Sequence, residues 1–198
     1  MSLVQAILSS QFVLVCGEQQ ANLSDGTVRH DFRKVFKINK NVIIGLTGTI
    51  EDNYILFQDY INPDFTLKET CSDSLEAVYS KVILRYNQMK ISGMAYNVFS
   101  LVCGWNGNSF EGKTFFMNHE YTDNLGITDI KLKSDNDVKF ISCGENEHYD
   151  NFFKIKDRYP FNVRGMMNTF NDVLAEGVKF DKTIDKNAVF EVIIQLKK

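Results

Sequence analysis

The stretch from Phe12 to Gly48 most constrains what this chain can fold into. Four consecutive apolar residues, Phe12, Val13, Leu14 and Val15, run up to Gly17, and Val42, Ile43 and Ile44 run up to Gly45 and Gly48. Successive side chains of a strand point to opposite faces, so a short unbroken apolar run bounded by glycine predicts a strand buried on both sides. Between the two runs, Ser24, Asp25 and Gly26 form a turn cluster, and Val35, Phe36, Lys37 and Ile38 then alternate. Glu18 closes the first strand and Lys34 opens the alternating one. Both are therefore expected at the rim of one sheet, where composition alone makes them a structural ion pair.

The rest of the chain supplies helices in pairs. Residues 2–9 and 11–17 read as a strand hairpin broken by Ser9, Ser10 and Gln11. Thr49 and Asp52 form a capping pair for a helix with Ile50, Tyr54, Phe57 and Ile61 on one face, ending before Pro63. Ser72 or Asp73 caps a second helix, whose Leu75, Val78, Tyr79, Val82, Ile83, Tyr86 and Met89 share a face up to Gly93. A strand from Tyr96 to Trp105 turns at Asn106, Gly107 and Asn108 and returns over 112–118, and residues 120–137 are polar and irregular. Val138 to Gly144 is a further strand. Helices over 145–158 and 162–176 and a strand over 188–196 complete the order. Strands with helices grouped in pairs predict an α+β fold of two packed antiparallel sheets with helices on both outer faces, a four-layer αββα sandwich.

The 198 residues form one expected domain, 1–198, because no Pro-, Gly- or Ser-rich linker divides them. A net charge of −3 with dispersed charges argues against nucleic acid. No apolar run reaches the length of a membrane span, and the first residues lack a signal-peptide layout. Cys16, Cys71, Cys103 and Cys143 are far apart, without C-x-x-C spacing, and read as free thiols of a cytoplasmic protein. His30, His119 and His148 share no metal-ligand spacing, and His148 reads as a helix-surface residue; neither metal nor cofactor is expected. No G-x-S-x-G elbow is present for a Ser-His-Asp triad. The 16 Phe and 8 Tyr fill a core rather than a base-stacking platform, since basic residues are not interleaved with them.

Glu18, Lys34 in Arg33-Lys34-Val35, and Gly48 in Gly45-Leu46-Thr47-Gly48 are spaced as in a known family. The chain resembles the N-terminal nucleophile (Ntn) hydrolases of the proteasome type, meaning proteasome β subunits and the bacterial proteasome-like ATP-dependent peptidase. Gly104-Trp105 likewise resembles the family's central hairpin. Counting back from Glu18 places Ser2 where the family has its N-terminal threonine. The family usually carries Asp where Glu18 stands, and Cys143 matches a serine that supports the nucleophile, although a cysteine in such a strand is more often a small buried apolar residue.

The resemblance implies the αββα fold, ring-forming homo-oligomers and cleavage of peptide or amide bonds with Ser2 as nucleophile after Met1 removal. In that scheme the α-amine of Ser2 acts as base and Lys34 disfavours its protonation. Glu18 holds Lys34, and the amide near Gly48 faces the oxyanion. Two alternatives stay open: a non-catalytic structural or interaction subunit of the same fold, and an amidase acting on a small metabolite. The latter is disfavoured by the lack of long insertions from which to build a lid.

Overall fold

The computed structural model describes residues 3–22, 25–69, 71–92, 96–118, 126–144 and 146–195. In chain order its strands are β1 (Val4–Leu8), β2 (Phe12–Glu18), β3 (Ala21–Asn22), β4 (Val28–Arg29), β5 (Val35–Asn39), β6 (Val42–Gly45), β7 (Asn97–Trp105), β8 (Phe110–Asn118), β9 (Gly126–Lys131), β10 (Lys139–Cys143) and β11 (Ala188–Ile194). The helices are α1 (Ile50–Phe57), α2 (Leu75–Ser92), α3 (Asn146–Ile155) and α4 (Val163–Gly177). One sheet has the order β10-β1-β2-β11 and the other β5-β6-β7-β8-β9, both antiparallel throughout, while β3 and β4 form a separate ribbon.

The apolar runs at β1, β2 and β6 are buried at every position, as strands covered on both faces must be. Alternation sorts their side chains into three apolar clusters. Val4, Ala6, Leu8, Val13 and Val15 pack with Val35, Ile43, Leu101 and Cys103 of the five-stranded sheet, joined by Phe110, Cys143 and Ile193. On the other face of the four-stranded sheet, Ile7, Leu14 and Cys16 meet Phe152 and Ile155 of α3 and Met166, Phe170, Val173 and Leu174 of α4. On the far face of the five-stranded sheet, Phe36, Ile44, Val98, Val102 and Phe115 meet Leu56 and Phe57 of α1 and Val78, Tyr79, Val82 and Tyr86 of α2. Polar stitches also join the sheets at one side: Lys37 of β5 donates to the Val192 carbonyl of β11 at 2.8 Å, and Arg33 pairs with Glu191.

The structure departs from the sequence expectations in several elements. The first helix stops at Phe57 instead of reaching Ile61, which forms an antiparallel bridge with Leu67. Residues 126–131 form β9, an edge strand paired with β8, rather than irregular chain; its outer positions are half-exposed or exposed, which hides the alternation. Residues 119–125 lie outside the described set. The hydroxyl that caps α2 is that of Ser74, accepting the Ala77 amide at 3.2 Å, because Asp73 is engaged by Lys81 and Tyr60. Thr49 precedes α1 but does not cap it: its hydroxyl donates to Asp52, whose carboxylate accepts the Asn97 amide at 2.8 Å. The third helix is shorter than 145–158, closing with a 3-10 turn over Lys156–Arg158.

Among the described residues no helix is long and apolar enough to cross a membrane.

Candidate functional site

Strand β2 delivers Glu18 to the end of the four-stranded sheet, and the chain returns past the β3–β4 ribbon to place Lys34 before β5. The side chain of Glu18 is fully buried and that of Lys34 is 3% exposed. The two form an ion pair, and the ammonium also donates to the Gln20 carbonyl. Glu18 is saturated by backbone: Oε1 accepts the Leu3 amide at 3.2 Å and Oε2 the Gln20 amide at 2.6 Å. The Leu3 carbonyl in turn accepts the Glu18 amide at 3.2 Å, so Leu3 is held by both the side chain and the backbone of Glu18. Ser2 itself lies outside the described residues.

Burial decides the electrostatics of the pair. It pushes the Glu18 carboxyl above its ordinary range, ahead of the opposing attraction of Lys34 and the hydrogen bonds from Lys34, Gln20 and Leu3. It likewise pulls the Lys34 ammonium below the usual lysine range, against Glu18 and the more distant Asp185 and Asp181. An ammonium destabilised in this way stabilises a nearby anion strongly, because little water competes for it.

A cleft of about 930 Å³ opens beside the pair, lined by Lys34, Gly48 and Gly144 together with Phe32, Leu46, Ile50, Phe99 and Phe116. Gly48 has φ +100°, and a Cβ there would collide with the Asn97 carbonyl, so glycine alone fits. Its neighbours pair with β7: Thr49 donates to Asn97 at 2.9 Å and Thr47 accepts from Phe99 at 3.2 Å. That pattern makes Gly48–Val98 a non-hydrogen-bonded pair and leaves the Gly48 amide unbonded to β7, at a residue that lines the cleft. Asn53, buried in α1, holds the segment by donating to the Thr47 and Thr49 carbonyls at 2.7 and 2.9 Å, and its own oxygen accepts Ser100 at 2.6 Å. Sequence reasoning missed Asn53. It sits four residues before Phe57, a polar residue on an apolar helix face, and that was its signal.

Lys34 and Gly48 thus line one cleft, and Glu18 is buried behind Lys34 as its ion-pair partner. Cys143 does not line it. It lies opposite Val4 in the β1–β10 register, with its side chain in the inter-sheet cluster, where burial pushes the thiol up to about 12. The residue at the cleft is the next one, Gly144. His148, expected on a helix surface, is instead fully buried and bonded to Asp181 at 3.1 Å. Among the described residues no three His, Cys, Asp or Glu side chains gather as a metal site would require.

Searches of solved structures return chains with this architecture along essentially the whole length. Eukaryotic HslV from Trypanosoma brucei matches over 98% of this chain and 99% of its own, with a TM-score of 0.61 at 13% identity. The fold is that of the proteasome-type Ntn hydrolases. Anbu, an ancestral beta-subunit from Yersinia bercovieri, matches over 97% of this chain and 82% of its own, with a TM-score of 0.68 and 13% identity. No protein-family model matches the sequence, and no curated protein matches it significantly. The proteasome-type fold is therefore carried by backbone architecture with little sequence identity, which directs attention to the few side chains at the cleft.

Proposed function

We propose that the chain is a single-domain, proteasome-like Ntn hydrolase that cleaves peptide or amide bonds with Ser2, exposed by removal of Met1, as nucleophile. One observation carries this reading: a fully buried carboxylate that grips both the Lys34 ammonium and the backbone amide of Leu3, beside a cleft that Lys34 and Gly48 line. A buried ion pair of this kind is poor value for stability alone. In the proposed site the α-amine of Ser2 takes the hydroxyl proton as the oxygen attacks the carbonyl, and later delivers it to the leaving amine. Lys34 disfavours protonation of that amine and stabilises the developing charge. The Gly48 amide faces the oxyanion.

Within this reading the two sheets and two helix pairs are the layers of an αββα sandwich, the assembly is a homo-oligomeric ring and the setting is cytoplasmic. The apolar lining of Phe32, Leu46, Ile50, Phe99 and Phe116 suits a peptide with an apolar side chain beside the scissile bond. The intact mass of protein made from its natural gene should lack Met1. Ser2→Ala should lower hydrolysis of a fluorogenic apolar peptide amide by at least about 10³-fold. Retained Met1, or equal turnover by the Ser2→Ala variant, contradicts the nucleophile.

A second reading is a non-catalytic subunit of the same fold. It is favoured by Cys143, whose thiol sits in the inter-sheet core rather than at the cleft where a polar support would be needed. Under it the parent shows no turnover at all.

A further inference from the structure

The His148 imidazole is buried completely, yet among the described residues it has one hydrogen-bond partner for its two nitrogens. Nε2 lies 3.1 Å from Asp181 Oδ2, and Nδ1 meets no partner among the described residues. An orphaned lone pair is cheaper to bury than an orphaned N–H, so the proton belongs on Nε2, donating to Asp181. The ring is fitted closely: it packs 5.0 Å from the Phe180 ring, and a Cβ on Gly177 would come within 2.9 Å of Nδ1. Its backbone carbonyl accepts Gln5 Nε2 of β1 at 3.4 Å. An apolar side chain would fill this space without stranding a nitrogen, so packing alone gives no reason for histidine.

The reason lies one step further along the chain. Asp181 Oδ1 accepts the Thr183 amide and hydroxyl at 2.8 and 2.6 Å, which folds the segment after α4 into a tight turn around the carboxylate. The next carbonyl, that of Lys182, accepts Gln20 Nε2 at 3.0 Å. Gln20 is the residue whose amide holds Glu18 and whose carbonyl holds Lys34. Hydrogen bonds, the Lys182–Thr183 peptide link and the Gln20 side chain therefore make a continuous path from α3 to the buried ion pair.

We propose that His148 is a positioning residue: its Nε2–H fixes Asp181, and through Asp181 the 181–183 turn, so that Lys182 holds Gln20 and Gln20 holds Lys34 in the geometry the cleft requires. This rests on the hydrolase reading for its effect on turnover, but not for its effect on the turn. The charge on Asp181 is favoured despite partial burial by the bonds from Thr183 and His148, which keeps an acceptor available at the end of the path.

The test compares the parent with His148→Gln, whose amide places an N–H at nearly the same reach, and His148→Asn, whose amide falls one carbon short. Turnover is measured on the fluorogenic apolar peptide amide, and Thr183 amide hydrogen exchange is measured in parallel. His148→Asn should lower kcat about 10- to 100-fold with KM within about twofold, the range expected for losing a hydrogen bond to a charged group. His148→Gln should stay within about threefold of the parent. Parental kcat in His148→Asn overturns the proposal. If the parent shows no turnover, the hydrolase reading has failed and exchange decides: at least tenfold faster Thr183 exchange in His148→Asn, with His148→Gln like the parent, supports the positioning role, and equal exchange in all three overturns it.

Discussion

Lys34→Met should lower stability by roughly 3–5 kcal/mol and remove hydrolytic activity. The first effect follows from what remains. Glu18 would keep the amides of Leu3 and Gln20 but lose the only ammonium paired with it among the described residues, leaving a buried carboxylate without a counter-charge. For a chain of this size the loss corresponds to a fall in Tm of about 6–20 °C. The effect also depends on pH. Burial already raises the Glu18 carboxyl above 4.5 while Lys34 opposes it, so deleting Lys34 raises it further. A group whose pKa is raised by folding contributes stability that is present below its unfolded value and lost as pH rises through its folded value. The deficit of Lys34→Met relative to the parent should therefore widen from pH 5 to pH 8, by at most about 1.4 kcal/mol per pH unit within the titration window. Urea midpoints at the two pH values measure this, and a constant deficit would show that Glu18 is not left charged and unpaired.

The Gly48→Ala variant should lose about 2–5 kcal/mol of stability and about 10²- to 10³-fold in kcat. Two costs add: roughly 1–2 kcal/mol for a side chain at positive φ, and roughly 1–3 kcal/mol for displacing the Asn97 carbonyl that the new Cβ would strike. The kinetic loss comes from moving the Gly48 amide, which the proposed site aims at the oxyanion. Gly107→Ala separates the terms. Gly107 has φ +106° in the β7–β8 turn, but a Cβ there meets nothing within 4 Å, so only the conformational cost should appear and turnover should be unchanged. Equal effects from the two alanines would mean that the contact with Asn97 and the position of the Gly48 amide do not matter.

The elements that sequence makes legible are those whose signal is local. Strands β1, β2 and β6 carry apolar residues on both faces because sheet covers one side and helix or sheet the other, and the runs show it. Strand β9 escapes because it is an edge: Asp129 and Lys131 are exposed, and only Ile127 and Ile130 reach the apolar clusters. Glu18 and Lys34 are found by spacing, since a strand end and a strand start are both visible in the chain. Asn53, Gln20, His148 and Asp181 act through tertiary approach, across sheets or between a helix and a distant turn, and no window of sequence brings them together. Cys143 shows the same limit in reverse. Its strand is evident, but which way it faces is set by pairing with Val4, which sends residues 141 and 143 into the inter-sheet core and leaves Gly144 at the cleft.

Peptide epoxyketones test the central claim most directly, because they close a morpholine ring only where one residue offers both a free α-amine and a hydroxyl. After incubation of the mature protein with an epoxyketone bearing an apolar side chain, peptide mapping by mass spectrometry should place a single adduct on Ser2. The Lys34→Met protein should form it at least about a hundredfold more slowly. An unmodified Ser2, or an adduct that forms equally fast without Lys34, would contradict the site built from Ser2, Glu18, Lys34 and Gly48.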